Sequence, residues 1–102
     1  MSNKIYTIEE IKAMLKKILY NTPVCQVILF GSYAKQNASK KSDLDFIIDS
    51  KGALMGFSLL ELIEKIEKTF HKDIDAFEKI EIIENSRIDN EIKRTGVIVY
   101  EK

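Results

Sequence analysis

Two aspartates lie within a segment that otherwise has the alternating pattern of a β-strand, Asp43 to Ile48. Carboxylates are depleted in sheets, and a buried charge is costly unless it is paired or coordinates a metal ion. Residues two apart in a strand leave the same face, so Asp43 and Asp45 are predicted to point to one side, with Cα atoms roughly 6 to 7 Å apart. The chain therefore has to fold so that something binds both carboxylates.

A glycine and a serine precede this strand at a defined distance. Gly31 and Ser32 directly follow the apolar run Val24–Phe30, which predicts a central strand, and ten residues separate Ser32 from the first aspartate. Glycine lets a phosphate approach the backbone, and unpaired N–H groups at a helix N-terminus bind phosphate oxygens. A short helical turn is expected at Ser32–Lys35. Gly31 and Ser32 are therefore candidate phosphate-binding residues.

Asp43 and Asp45 are candidate ligands for divalent cations. Mg²⁺ prefers carboxylate and water oxygens, and two ions roughly 3.5 to 4 Å apart can stabilise the attacking and leaving oxygens of a phosphoryl displacement. The alternative interpretation is a solvated outer face of an edge strand. An EF-hand loop is excluded, because its sixth position would be Ile48 rather than glycine.

The flanking sequence predicts an α+β fold in one domain spanning residues 1–102. Thr7 and Glu10 form a capping box before a helix that runs to about Leu19, and Ser58 with Glu61 predicts a second capped helix. Further along, a strand is predicted over Ile74 to Phe77 and a helix within Ile82 to Arg94. A last strand is predicted over Val97 to Tyr100. This order predicts helices packed on a small mixed sheet.

Composition and charge restrict the classes of partner. Sixteen basic residues balance sixteen acidic ones, so no overall positive field would hold an extended nucleic acid. No apolar stretch approaches the roughly 20 residues that span a bilayer, and no signal-peptide hydrophobic region begins the chain, so we expect a cytoplasmic protein without a membrane partner. Lys35, Lys40 and Lys41 either add charge near a bound phosphate or are simply solvated.

The glycine-serine pair, its spacing and the Asp-x-Asp motif resemble the minimal nucleotidyltransferase (MNT) family of the polymerase-β-like nucleotidyltransferase superfamily. That signature continues with a third aspartate in a later strand, and Lys72–Phe77 resembles this strand. Asp75 is the better match because an apolar residue precedes it, whereas Asp73 is predicted on the same face and remains the alternative. Gln36 departs from the pattern, since many relatives have a glycine at this position.

The resemblance implies a polymerase-β palm-like fold and an Mg²⁺-dependent transfer from ATP. It implies that Asp43 and Asp45 hold two Mg²⁺ ions, and that Asp75 binds the catalytic ion and accepts the proton of the incoming hydroxyl. Gly31 and Ser32 would hold the triphosphate, whose α-phosphate is attacked as pyrophosphate leaves. All five residues belong to one predicted site.

The resemblance also implies a partner. Stand-alone members of the family are commonly paired with a helical HEPN protein, often a ribonuclease toxin, and this chain would act as an antitoxin by transferring AMP to a hydroxyl of that protein. One alternative is a non-catalytic module that neutralises a HEPN protein by contact alone. A second is nucleotidyl transfer to a small hydroxylated molecule. A homo-oligomer or a hetero-oligomer is compatible with each.

Overall fold

The computed structural model describes residues 4–102, and its elements follow the predicted order. They are α1 (Ile8–Leu19), β1 (Gln26–Phe30), α2 (Gly31–Ala34), β2 (Leu44–Asp49), α3 (Phe57–Phe70), β3 (Ile74–Glu78), a 3₁₀ turn (Lys79–Glu81), α4 (Arg87–Thr95) and β4 (Val97–Glu101). No helix in this part of the chain is both long and apolar enough to cross a membrane.

The four strands form one mixed sheet in the order β3-β2-β1-β4. β1 runs antiparallel to β2 and to β4, whereas β2 and β3 are parallel and are connected through α3. A parallel pair requires such a crossover, and a helix of this length is the usual solution. The predicted mixed sheet is confirmed, and β3 and β4 form its two edges.

The main core lies between one face of the sheet and the helices α1 and α3. Leu44, Phe46 and Ile48 leave β2 on this face and are completely buried, in agreement with the predicted alternation. Ile11 and Leu15 of α1 are equally inaccessible. The opposite face of β2 carries Asp45 and Ile47. Ile47 is buried near Ile82 and Ile92, whereas Asp45 is only partly buried, so the Asp45 end of this face is available for a site.

The two predicted capping boxes have different outcomes. The Thr7 hydroxyl accepts a hydrogen bond from the Glu10 amide at 3.0 Å, and the Glu10 carboxylate accepts one from the Thr7 amide at 2.9 Å, as predicted. The box predicted at Ser58 is wrong. Gly56, with φ of 59°, precedes the helix and its carbonyl accepts from the Leu60 amide, so Ser58 lies within the first turn.

Glu78, the last residue of β3, stabilises the parallel register of β2 and β3 at the C-terminal end of both strands. This carboxylate is completely buried, and it accepts hydrogen bonds from the Ser50 amide at 3.1 Å, from the Ser50 hydroxyl and from the Ile80 amide at 3.3 Å. Ser50 directly follows β2, so these bonds connect the ends of the two strands. This register determines which acidic residues of β2 and β3 are neighbours on the face of the sheet opposite the main core.

Candidate active site

Gly31 lies where β1 passes into α2, in direct contact with Asp45. Its φ of +73° is in the left-handed region that favours glycine. A Cβ atom at this position would collide with Oδ2 of Asp45. Both the backbone conformation and the close approach therefore require a residue without a side chain, and the predicted neighbourhood of Gly31 and Asp45 is observed.

Ser32 follows within α2 and is half-buried. Its carbonyl accepts from the Asn37 amide at 3.0 Å, which closes the loop after α2. Gln36 in this loop has φ of +59°. The loop thus adopts, with a glutamine, the left-handed conformation that glycine adopts most easily.

Asp45 and Asp75 are direct neighbours across the parallel strands β2 and β3. Paired residues in adjacent strands point to the same face, so both carboxylates leave the side of the sheet opposite the main core. Asp73 precedes β3, and its carbonyl accepts from the Leu44 amide at 3.2 Å. Of the two candidates for the third carboxylate, the structure therefore brings Asp75 next to Asp45.

Asp43 lies just before β2 and is exposed. Burial, followed by the negative charges of Asp75, Asp43 and Glu91 in that order of importance, together raise the pKa of Asp45 to about 6. Four carboxylates thus act on one another, and none of Asp43, Asp45 and Asp75 has an ion-pair partner among the described residues. Among the described residues, the site therefore concentrates negative charge on Asp43, Asp45 and Asp75, whereas the fourth carboxylate, Glu91, pairs with Lys35.

The oxygen donors fit a hard divalent cation in their chemistry. Within residues 4–102, no three acidic, histidine or cysteine side chains are close enough to hold a metal ion as they stand. Asp45 and Asp75 nevertheless form an adjacent pair, and Asp43 is exposed, so its side chain can rotate toward them. A divalent cation would also offset the repulsion that raises the pKa of Asp45.

An ion pair that the sequence did not predict connects the end of α2, the short helix that begins at Gly31, to α4. Lys35 Nζ lies 2.9 Å from Glu91 Oε1, across 56 positions of the chain. Lys35 is the C-cap of α2, and its amide donates to the Gly31 carbonyl. Because 56 positions of the chain separate the two residues, no local pattern indicated that they pair.

The other two lysines considered from the sequence, Lys40 and Lys41, are exposed. The Lys72 ammonium donates to the Lys40 carbonyl at 2.9 Å, which ties this loop to the chain just before β3. The loop that separates Ser32 from Asp43 is therefore anchored near the site.

Comparison with known families gives a match over nearly the whole chain. A family model described as "Polymerase beta, Nucleotidyltransferase" matches residues 9–102. Two proteins of Methanocaldococcus jannaschii, both provisionally named protein adenylyltransferases, are similar in sequence. One is 38% identical over 79 residues, 72% of this chain and 79% of its own length. The other is 29% identical over 86 residues, 82% of this chain and 92% of its own length.

Solved structures share the architecture at lower sequence identity. A chain of a toxin–antitoxin crystal structure with AMP-PNP superposes with a TM-score of 0.76 at 18% identity, over 89% of this chain and 73% of that one. A second match is a chain of the complex between the tri-AMPylated HEPN toxin of Shewanella oneidensis and its MNT antitoxin. It superposes with a TM-score of 0.71 at 16% identity, over 94% of this chain and 74% of that one. This likeness confirms the fold class predicted from the sequence.

Proposed function

The chain belongs to the polymerase-β nucleotidyltransferase family, and we propose that it is an MNT-type antitoxin that transfers AMP from ATP to a hydroxyl of a HEPN protein. The observation that carries this proposal is the pairing of Asp45 with Asp75 beside Gly31. A nucleotidyl transfer needs acidic groups next to a place where a triphosphate can approach the backbone. The adjacent carboxylates of Asp45 and Asp75 and the glycine backbone at Gly31 support this assignment.

The partner and the acceptor are inferred from the relatives. Two sequence relatives are named as protein adenylyltransferases, and chains with this fold occur in toxin–antitoxin complexes, one of which contains an AMPylated HEPN toxin. The balanced charge of this chain gives no overall positive field that would attract an extended nucleic-acid acceptor. A protein hydroxyl is therefore the acceptor that we propose.

Each site residue has a role in this proposal. Gly31 and Ser32 hold the triphosphate, and Asp43, Asp45 and Asp75 would bind two Mg²⁺ ions, which supply charge neutralisation and polarise the α-phosphate when bound. Asp75, exposed on the edge strand, accepts the proton of the acceptor hydroxyl. The acceptor oxygen bonds to the α-phosphorus while the bond to the bridging oxygen breaks and pyrophosphate leaves.

Transfer of labelled AMP tests the proposal. The purified protein is incubated with Mg²⁺, ATP labelled at the α-phosphate and the protein encoded by the neighbouring gene. We expect label on that protein, and we expect Asp75→Asn to reduce the rate by about 100-fold or more, as for loss of a general base. Asp73→Asn is the matched control, two residues away and outside the strand, and it should retain most of the rate.

Two results would contradict the proposal in different ways. Tight binding of the partner without label, under any nucleotide or divalent metal, would favour neutralisation by contact alone. Loss of transfer in Asp73→Asn with a normal rate in Asp75→Asn would keep the reaction but reverse the assignment of the third carboxylate.

A further inference from the structure

An apolar groove adjoins the carboxylates on the free face of the sheet, between β3 and α4. It has a volume of about 600 Å³, and we call it the acceptor groove. One wall is the Phe77 side chain of β3. The other walls are the segment that precedes α4 and the first two turns of α4. Its apolar lining residues are Phe77, Ile82, Ile83 and Ile88, and its polar ones include Arg87 and Glu91.

Two residues of the groove relate it to the proposed reaction centre. Phe77 is two residues beyond Asp75 on the same face of β3, and its register partner is Ile47. Glu91, on the other wall, is close enough to Asp45 for its charge to contribute to the raised pKa of that residue. The Phe77 end of the groove is therefore the end nearer to Asp75 along β3.

Strand order assigns the groove to the acceptor rather than to the triphosphate. Gly31 follows β1, Asp45 lies on β2 and Asp75 lies on β3. Because β2 is between β1 and β3, Gly31, where the triphosphate is proposed to bind, and Asp75 lie on opposite sides of Asp45. Attacking and leaving oxygens lie roughly in line in phosphoryl-type transfer. An acceptor hydroxyl therefore has to approach from the side of β3, where the groove lies.

The groove has the character of a polypeptide site. Ile83 is 75% exposed, and Ile80, just outside the groove, is 67% exposed, which leaves large apolar side chains in water beside a charged centre. β3 is an edge of the sheet, and an edge strand presents backbone groups that an extended peptide can pair with. Backbone pairing with apolar side-chain contacts is a combination that a peptide segment supplies.

We propose that the acceptor groove binds the hydroxyl-bearing segment of the protein acceptor, with apolar side chains of that segment packed against Ile83 and Phe77. This inference rests on the proposed function and adds to it the place and the kind of segment that is recognised. The segment would lie along β3 and direct its hydroxyl toward Asp75.

The test compares two neutral substitutions of exposed apolar residues. Ile83→Asn removes an apolar contact from the groove without changing the charge near the carboxylates. Leu60→Asn is the matched control, because Leu60 is 55% exposed on α3, whose helix packs on the opposite face of the sheet. Initial rates of AMP transfer are measured against acceptor concentration, together with the Kd for ATP and the melting temperature.

We expect Ile83→Asn to raise the KM for the acceptor by about tenfold or more, as for an interface residue that dominates a contact, with kcat, the Kd for ATP and the melting temperature nearly unchanged. Ile83→Leu should restore most of the affinity, and Leu60→Asn should leave all four quantities unaltered.

Three results would overturn the inference. An unchanged KM for the acceptor in Ile83→Asn, with normal transfer by the wild-type protein, would reject the groove alone. A weaker Kd for ATP in Ile83→Asn would assign the groove to the nucleotide. Absence of transfer by the wild-type protein would reject the proposed function and the groove together.

Discussion

Asp45 is the residue at which three parts of the chain meet. Its carboxylate lies against Gly31, which follows β1, and Asp45 pairs in register with Asp75 on β3. The negative charge of Glu91 on α4 contributes to the raised pKa of Asp45. Burial of a carboxylate beside other carboxylates favours its protonated form, which raises the pKa. The metal-free protein therefore holds Asp45 in an unfavourable state at neutral pH, as expected of a residue retained for binding rather than for stability.

This unfavourable state predicts a pH-dependent effect of Asp45→Asn on stability. The folded pKa of about 6 is above the ordinary value of 3.8, so ionisation of Asp45 destabilises the fold as pH rises from about 4 to 6. Asparagine cannot ionise. We expect the variant without metal to gain about 1–2 kcal/mol in free energy of unfolding at pH 7, after allowance for solvent screening, and almost nothing at pH 4.

Urea denaturation of both proteins at the two pH values, in the presence of a chelator, measures this difference. Asp73→Asn is the control, because Asp73 is exposed and outside the strand. A gain that is larger at pH 4 than at pH 7, or a loss of stability at pH 7, would show that Asp45 is not destabilised by its surroundings.

The helices illustrate how a local motif succeeds at one place and fails at another. The Thr7 box caps α1, because an extended residue precedes the first turn and leaves amides for the hydroxyl to accept from. At α3, Gly56 adopts φ of 59° and the helix begins at Phe57, so the Ser58 hydroxyl is not in the capping position. The same sequence pattern therefore has different structural consequences.

This difference predicts unequal effects of two alanine substitutions. Thr7→Ala should lower the free energy of unfolding by about 1 kcal/mol, because an amide of the first turn loses its acceptor. Ser58→Ala should change it by less than about 0.5 kcal/mol, as for a surface position without a special role. Thermal unfolding monitored by circular dichroism compares the two, and equal losses would contradict the assigned start of α3.

At the scale of the whole molecule, the core joins elements from both ends of the chain. Leu15 and Leu19 of α1 share one hydrophobic cluster with Phe70 of α3 and Val99 of β4. The Tyr6 hydroxyl donates to the Phe70 carbonyl at 2.6 Å, which connects the start of α1 to the end of α3. Separate unfolding of either half would expose this shared cluster.

We therefore expect residues 1–102 to unfold as one cooperative unit. For a domain of this size the unfolding enthalpy at the midpoint should be about 60–80 kcal/mol. Differential scanning calorimetry should give equal calorimetric and van't Hoff enthalpies. Two separable transitions would contradict the prediction of a single domain.

The sequence by itself determined the order of the elements, the α1 cap and the α+β fold class, whereas the family was indicated by the resemblance of its motifs. These depend on side-chain periods of two and 3.6 residues and on contacts between residues three or four apart, which neighbours in the chain specify. The acidic face of β2 was predictable for the same reason, because alternation in a strand needs no partner.

Only the tertiary structure decided which acidic residue joins Asp45. The sequence left Asp73 and Asp75 open, and the choice depends on the parallel register that Glu78 helps to hold. The ion pair of Lys35 with Glu91, and the groove beside Phe77, likewise arise from residues far apart in the chain. Register and docking are set by long-range packing, in which each element's position depends on all the others at once, and no local pattern encodes them.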